Sequence, residues 1–235
     1  MLAEINIPTL TPFQFRVHDD PDIFVSDQIL KRGIWEPCEA NLFCQLIQPG
    51  DTVLDIGANI GYYTSIASRL VGSQGKVYAF EPKRRNFEIL EWNATNSDAG
   101  NIVCINQAIA NYTGETTLYL SPENLGHHSF LGSINFDETH TIAVTSADEY
   151  FLENPDKIDF VKIDVEGAEQ AVLEGMQNIL RTNAERIKVV MEFWPIGLNE
   201  APGGLPHALD TLRGSFDNIM VIRESEMKYC RGNLR

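Results

Sequence analysis

The chain is short of several things, and each shortage excludes a class of function. It has four cysteines in 235 residues. Cys38, Cys44, Cys104 and Cys230 form no CxxC pair and no zinc spacing, which leaves reduced thiols as the expectation. No stretch reaches the ~18 consecutive apolar residues of a membrane span. The opening residues Met1-Leu2-Ala3-Glu4-Ile5 lack the basic and apolar parts of a secretory leader. The expectation is therefore a cytoplasmic protein with no membrane partner. Positive charge is scarce too: 18 Lys and Arg stand against 33 Asp and Glu, a net charge of -15. A polyanion needs a basic face, so nucleic acid is not an expected partner. The densest cationic run, Lys83-Arg84-Arg85, follows Pro82 at a helix start and reads as a solvated face.

What is present is enough apolar residue, 43%, for one large α/β domain. Residues 1 to about 25 show no steady period and read as an irregular arm. From 26 to 48 apolar residues recur at helical spacing (Leu42, Phe43, Leu46, Ile47) before the turn Pro49-Gly50-Asp51. Residues 1–48 are thus expected to form an arm and helix, a candidate lid, ahead of a main domain at 49–235. Within that domain strands at 52–56, 76–81 and 102–107 alternate with helices at 60–71 and 83–97. Strands at 158–164 and 187–193 flank a helix at 168–180. This alternation predicts an α/β fold with an open, mostly parallel, doubly wound sheet. Two short strands, 114–120 and 139–144, interrupt it, so a hairpin and loop insertion is expected at about 109–145, after the third strand. Ser146-Ala147-Asp148-Glu149 has capping-box spacing and starts a short helix. A helix at 205–213 and a strand near 218–222 follow; this tail is short for the fold, as an excised domain would be.

Four of the predicted strands end in an acid: Asp55, Glu81, Asp164 and Glu192. In an open parallel sheet the ligand lies outside the carboxyl ends of the strands, so these acids should gather along one edge. Each alone reads as a helix cap or loop anchor. Together with the turn Gly57-Ala58-Asn59-Ile60-Gly61 they read as a site. Glu81 follows Gly57 by 24 residues, near the spacing of a βαβ unit that holds a ribose. A nicotinamide dinucleotide places its pyrophosphate on G-x-G-x-x-G. Here the middle glycine is missing, and Asp55 two residues before the turn would repel phosphate. S-adenosylmethionine (SAM) has no phosphate and carries an ammonium and a sulfonium, which favours it as the cofactor.

Asp-Ile-Gly-Ala-Asn-Ile-Gly at 55–61, Phe80-Glu81-Pro82 and Lys162-Ile163-Asp164-Val165-Glu166-Gly167-Ala168-Glu169 resemble the signature blocks of FkbM-family methyltransferases. The likeness covers roughly residues 30–195 and implies a class I, Rossmann-like, SAM-dependent O-methyltransferase. It also implies roles. Asp55, Gly57, Asn59 and Gly61 form the turn around the methionine part of SAM. Tyr63 and Thr64 reach its carboxylate, with Tyr63 equally readable as core. Glu81 accepts both ribose hydroxyls, and Asn106, Gln107 and Ala108 border the adenine. Asp164 sits near the sulfonium and the acceptor, Glu169 belongs to a helix first turn, and Glu166 stays open. Trp35 and Glu36 either close over SAM or pack, and residues 193–196 either wall an acceptor pocket or end a strand.

Methyl transfer to oxygen needs in-line positioning and removal of a proton. His127 and His128, in the loop Leu125-Gly126-His127-His128-Ser129, are the candidate bases, ahead of His18, His140 and His207. Asp164 and Glu192 are alternatively a pair for a divalent cation such as Mg²⁺, which the motif neither requires nor excludes. The expected acceptor is a hydroxyl of a small molecule or of a biosynthetic, free or carrier-bound, intermediate; the resemblance points to secondary metabolites, sugars or carrier-bound chains. The rivals are a methyltransferase acting on nitrogen and a non-catalytic SAM or nucleotide binder. The first would carry (Asp/Asn)-Pro-Pro-(Tyr/Phe) after the fourth strand, where this chain has Val165-Glu166-Gly167.

Overall fold

The computed structural model describes residues 1–19, 25–97, 99–120, 128–129, 138–152, 157–193, 204–223 and 228–231. The chain opens with Leu2–Ile5 (β1) paired antiparallel to Phe13–Arg16 (β2), where an irregular arm was expected. Four-residue strands are too short to show a period in sequence. Two helices follow, Val25–Arg32 (α1) and Pro37–Leu46 (α2), rather than one continuous helix. The break falls where the chain turns at Gly33, with φ 68, and re-enters at Pro37. A proline suits a helix first turn but disfavours helical backbone in the residue before it.

The main domain then alternates as expected. Thr52–Ile56 (β3), Tyr62–Val71 (α3), Lys76–Phe80 (β4), Arg84–Thr95 (α4) and Ile102–Ile105 (β5) form its first half. Ala108–Ile109 (β6), Gly114–Leu120 (β7), His128–Ser129 (β8) and Glu138–Thr145 (β9) build the insertion, a second sheet in the order β6-β9-β7-β8. Ala147–Tyr150 (α5) starts at Ser146, whose hydroxyl accepts from the Glu149 N–H at 3.1 Å, as the capping spacing predicted. Phe160–Ile163 (β10), Glu169–Glu174 (α6), Gln177–Thr182 (α7), Lys188–Met191 (β11) and Gly204–Ser215 (α8) complete the alternation. Met220–Arg223 (β12) pairs antiparallel with Lys228–Arg231 (β13). No helix among the described residues is long and apolar enough to cross a membrane.

The central sheet runs β11-β10-β3-β4-β5 with every pairing parallel. Chain order therefore reverses between β3 and β10, which makes their carboxyl ends the switch point where such folds bind ligands. Helices cover both faces, so the strands are apolar on both sides. Alternate residues feed two cores. Val53, Val77, Phe160 and Val190 join Ile5, Phe15, Ile29, Phe43 and Ile66 on one face. Leu54, Tyr78, Phe80, Val161 and Ile163 join Phe151, Leu173, Leu180 and Leu212 on the other. The N-terminal ribbon and helices thus share one core with the sheet. Asp55 and Lys162 share the strand parity of Val53 and Phe160 and are direct partners in register. A charged pair is threaded into an otherwise apolar face.

Candidate active site

The ladder itself carries three acids to the sheet edge. Glu81 donates its N–H to Ile105 O at 3.0 Å, Asp164 to Ile56 O at 3.0 Å and Glu192 to Ile163 O at 2.9 Å. Each is the first residue past its strand. Beside them the chain leaves β3 in a tight turn, with φ 81 at Gly57, 50 at Asn59 and 87 at Gly61. A Cβ on Gly57 would stand 1.8 Å from Asp164 O, so glycine is required for the turn to lie against the β10 end.

These elements enclose a cavity of about 220 Å³. Gly57, Asn59, Tyr63, Glu81, Gln107, Ala108, Asp164 and Glu192 of the sequence-derived candidates line it. So do Trp35, Glu36, Glu166 and Lys162. Asp55, Gly61, Thr64 and Asn106 stand behind the wall and support it. Thr64 Oγ1 donates to Asp55 Oδ2 at 2.5 Å, and Asn106 Nδ2 donates to the Glu81 and Pro82 carbonyls at 2.8 and 3.0 Å. Both side chains are committed to the protein rather than aimed at a ligand. His127 lies outside the described residues, and His128 is described only by its backbone pairing with Leu120. His18 is buried with Nε2 3.1 Å from Asn86 Oδ1, and His207 pairs with Glu174 at 3.3 Å.

The two halves of the cavity differ in how their charges are held. Glu81, 6% exposed, accepts the Asn59 N–H and the Lys83 N–H, each at 2.9 Å. Burial pushes its carboxyl up to about 7 against the pull of those donors. In the other half Lys162 Nζ lies 2.8 Å from Asp164 Oδ2 and 4.9 Å from the centre of the Tyr63 ring. Burial opposes the charge of Lys162, but Asp164, Asp55 and Glu39 outweigh it and hold the ammonium well above its usual range. Lys162 appears in the signature block, yet a lysine in a short strand carries no sequence signal of burial. Only the strand register, which sets it beside Asp55, reveals it.

Asp164, Glu166 and Glu192 each bring one oxygen within 4.8 Å of the others. Burial, then Asp164 and Glu169, pushes Glu166 up to about 8. Desolvation, then the charge and hydrogen bond of Asp164, pushes Glu192 up. Glu192 is solvent-exposed as a residue, so its pairing with Asp164 is the sturdier cause. Glu169 is buried at the start of α6, where its Oε1 accepts the Gly167 N–H at 2.9 Å. Burial pushes it up to about 7.

Comparison with known proteins now decides the family. Residues 55–215 match the sequence profile of the methyltransferase FkbM domain. The chain belongs to the FkbM methyltransferase family. Within this family setting, the hexuronic acid methyltransferase AglP of Haloferax volcanii is 30% identical over 144 residues. That match takes in 60% of this chain and 56% of AglP, so the FkbM chain spans about half the length of that relative. The crystal structure of methyltransferase FkbM from Methylobacillus flagellatus KT superposes with a TM-score of 0.51 at 17% identity, over 80% of this chain and 47% of that one. The second likeness supports the Rossmann-like fold of the FkbM domain.

Proposed function

We propose that this chain is a cytoplasmic, SAM-dependent O-methyltransferase acting on a hydroxyl of a small molecule or a biosynthetic, free or carrier-bound, intermediate. The observation that carries the reading is the charge of the cavity at the sheet's switch point. Glu36, Glu81, Asp164, Glu166 and Glu192 line it against a single ammonium, Lys162. Behind it Asp55 keeps a buried Oδ1 without a hydrogen-bond partner. A wall of carboxyl groups with one ammonium offers a pyrophosphate few donors and suits a sulfonium and an ammonium. The residues fit SAM.

When bound, SAM supplies an electrophilic methyl group on a sulfonium. Glu81 is positioned to accept ribose hydroxyls, and Gln107 and Ala108 to border the adenine. The turn at Gly57 and Asn59 brings backbone against the methionine part, and Asp164 stands where the sulfonium and the acceptor meet. Holding oxygen and methyl in line is the larger share of the catalysis. The acceptor proton needs a base, worth roughly 10²–10⁴-fold. His127 and His128 are the candidates from sequence; the Asp164–Glu192 pair is the candidate from geometry. Replacing both, His127→Ala with His128→Ala, separates them. Turnover lost with SAM affinity intact assigns a histidine; turnover unchanged assigns the acid pair.

If a divalent ion takes part, Asp164 and Glu192, joined by Glu166, would hold it. The Lys162 ammonium beside Asp164 already supplies positive charge there, so turnover is expected to survive exhaustive chelation. Because AglP is named for a hexuronic acid, sugars and uronic acids, free and carrier-linked, are the first acceptors to try. Incubation with methyl-labelled SAM should place label on acceptor oxygen. SAM binding with no transfer to any acceptor would instead indicate a binding domain.

A further inference from the structure

Three non-glycine residues among those described hold left-handed backbone: Glu36 at φ 44, Asn59 at φ 50 and Glu166 at φ 51. All three line the same cavity. Such conformations are sparsely populated and persist where surrounding structure enforces them, most often at ligand sites. Asn59 belongs to the glycine turn and Glu166 to the β10 end. Glu36 comes from neither; it sits in the strap between α1 and α2.

What enforces Glu36 is the first turn of α3, which opens directly from the glycine turn. The Tyr62 hydroxyl accepts the Trp35 N–H and donates to the Trp35 carbonyl, both at 3.1 Å. The Tyr63 hydroxyl donates to Glu36 Oε2 at 2.8 Å. Two consecutive tyrosines thus fasten two consecutive strap residues, and they fix a carboxylate against the cavity. Burial, then Glu39 and Glu36, raises the Tyr63 hydroxyl well above the usual range, so it stays a neutral donor to Glu36. A carboxylate kept in a strained strap and facing a cavity already rich in acids has a use for a cation.

We infer that Glu36 binds the ammonium of the methionine part of SAM, with Tyr63 as the residue that positions it. The inference rests on the SAM reading above. With Glu81 at the ribose, the amino-acid end of the cofactor would extend past the glycine turn toward α3, where the strap is fastened. A carboxylate offers about four acceptor positions, so Glu36 can keep the Tyr63 phenol and take an ammonium proton as well. The Asp164, Glu166 and Glu192 side already has the Lys162 ammonium, 2.8 Å from Asp164 Oδ2. The strap then does more than cover the cavity: it reads whether the amino-acid end is present.

The test compares two ligands by titration calorimetry on the full chain. S-adenosylhomocysteine carries the ammonium, and 5′-methylthioadenosine has the same adenosine thioether without the amino-acid end. Loss of a hydrogen bond between charged groups should make Glu36→Gln bind S-adenosylhomocysteine about 10- to 100-fold more weakly. Its affinity for 5′-methylthioadenosine should stay within about twofold, which also shows that the variant is folded. Tyr63→Phe should lose S-adenosylhomocysteine affinity in the same sense and by less. Equal losses for both ligands, or no loss for either, would overturn the role of Glu36. A wild-type chain that binds neither ligand would overturn the SAM reading itself.

Discussion

Two of the acids that line the cavity, Glu81 and Asp164, are held by opposite means. Glu81 rests on two backbone N–H groups donated by Asn59 and Lys83, so its position follows from the fold of the turn and of the α4 start. Asp164 rests on a side chain, Lys162, and its other neighbours are acids. Backbone donors cannot swing away and need no counter-ion; an ammonium threaded through the core does both jobs only while its partners stay ionised. One half is preformed and, in the proposed function, receives neutral hydroxyls. The other is a charge cluster whose protons can be rearranged, which is what transfer of a proton requires.

The difference is broken most forcefully at Lys162. Lys162→Met leaves Asp55 and Asp164 without their buried cation, and should cost about 3–5 kcal/mol of stability, read as a fall in urea midpoint. A loss below about 1 kcal/mol would mean that water, not lysine, compensates those acids.

Next comes pH. Glu81 moves from 4.5 to about 7 on folding. A carboxyl raised in this way binds its proton more tightly in the folded chain. Its contribution is therefore fully present below about 4.5 and is lost as pH rises through about 7, by about 3 kcal/mol at its largest. Glu166 and Glu169 are raised as well and act in the same direction. Stability measured from pH 4.5 to 8 should therefore decline with rising pH, and Glu81→Gln should flatten part of the slope. A slope unaltered by the substitution would remove Glu81 as its source.

The smallest expected effect concerns recognition. Glu81→Gln keeps the shape and loses the charge, so SAM affinity should fall about tenfold. Glu192→Gln, on the other side of the cavity, should leave SAM affinity within about twofold. Equal losses at both positions would erase the distinction between the halves.

Much of the cavity wall was legible because it follows local rules. An apolar strand that stops at an acid announces its own end, and Glu81, Asp164 and Glu192 were visible for that reason; Asp55, read as a strand end as well, lies one residue inside β3 and pairs in register with Lys162. The supporting roles were less visible. Asn106 and Thr64 sit at positions that resemble ligand contacts, yet each spends its hydrogen bonds on the protein. Lys162 was hidden because its partner Asp55 is 107 residues away and adjacent only through strand register. The strap was legible only in part: Trp35 and Glu36 were read as closing over SAM or packing, but the helical period running from 26 to 48 masked the break at Gly33 and Pro37 that sets Glu36 against Tyr63. Short-range pattern reports where strands end. It does not report which side chains meet across the switch point.

The central claim is that the turn at 55–61 and the acid wall select a cationic, phosphate-free cofactor. Titration of the purified chain with SAM and with NAD tests it most directly. The account predicts saturable SAM binding at one site per chain and no NAD binding at the same concentrations. Saturable NAD binding with none for SAM would contradict it.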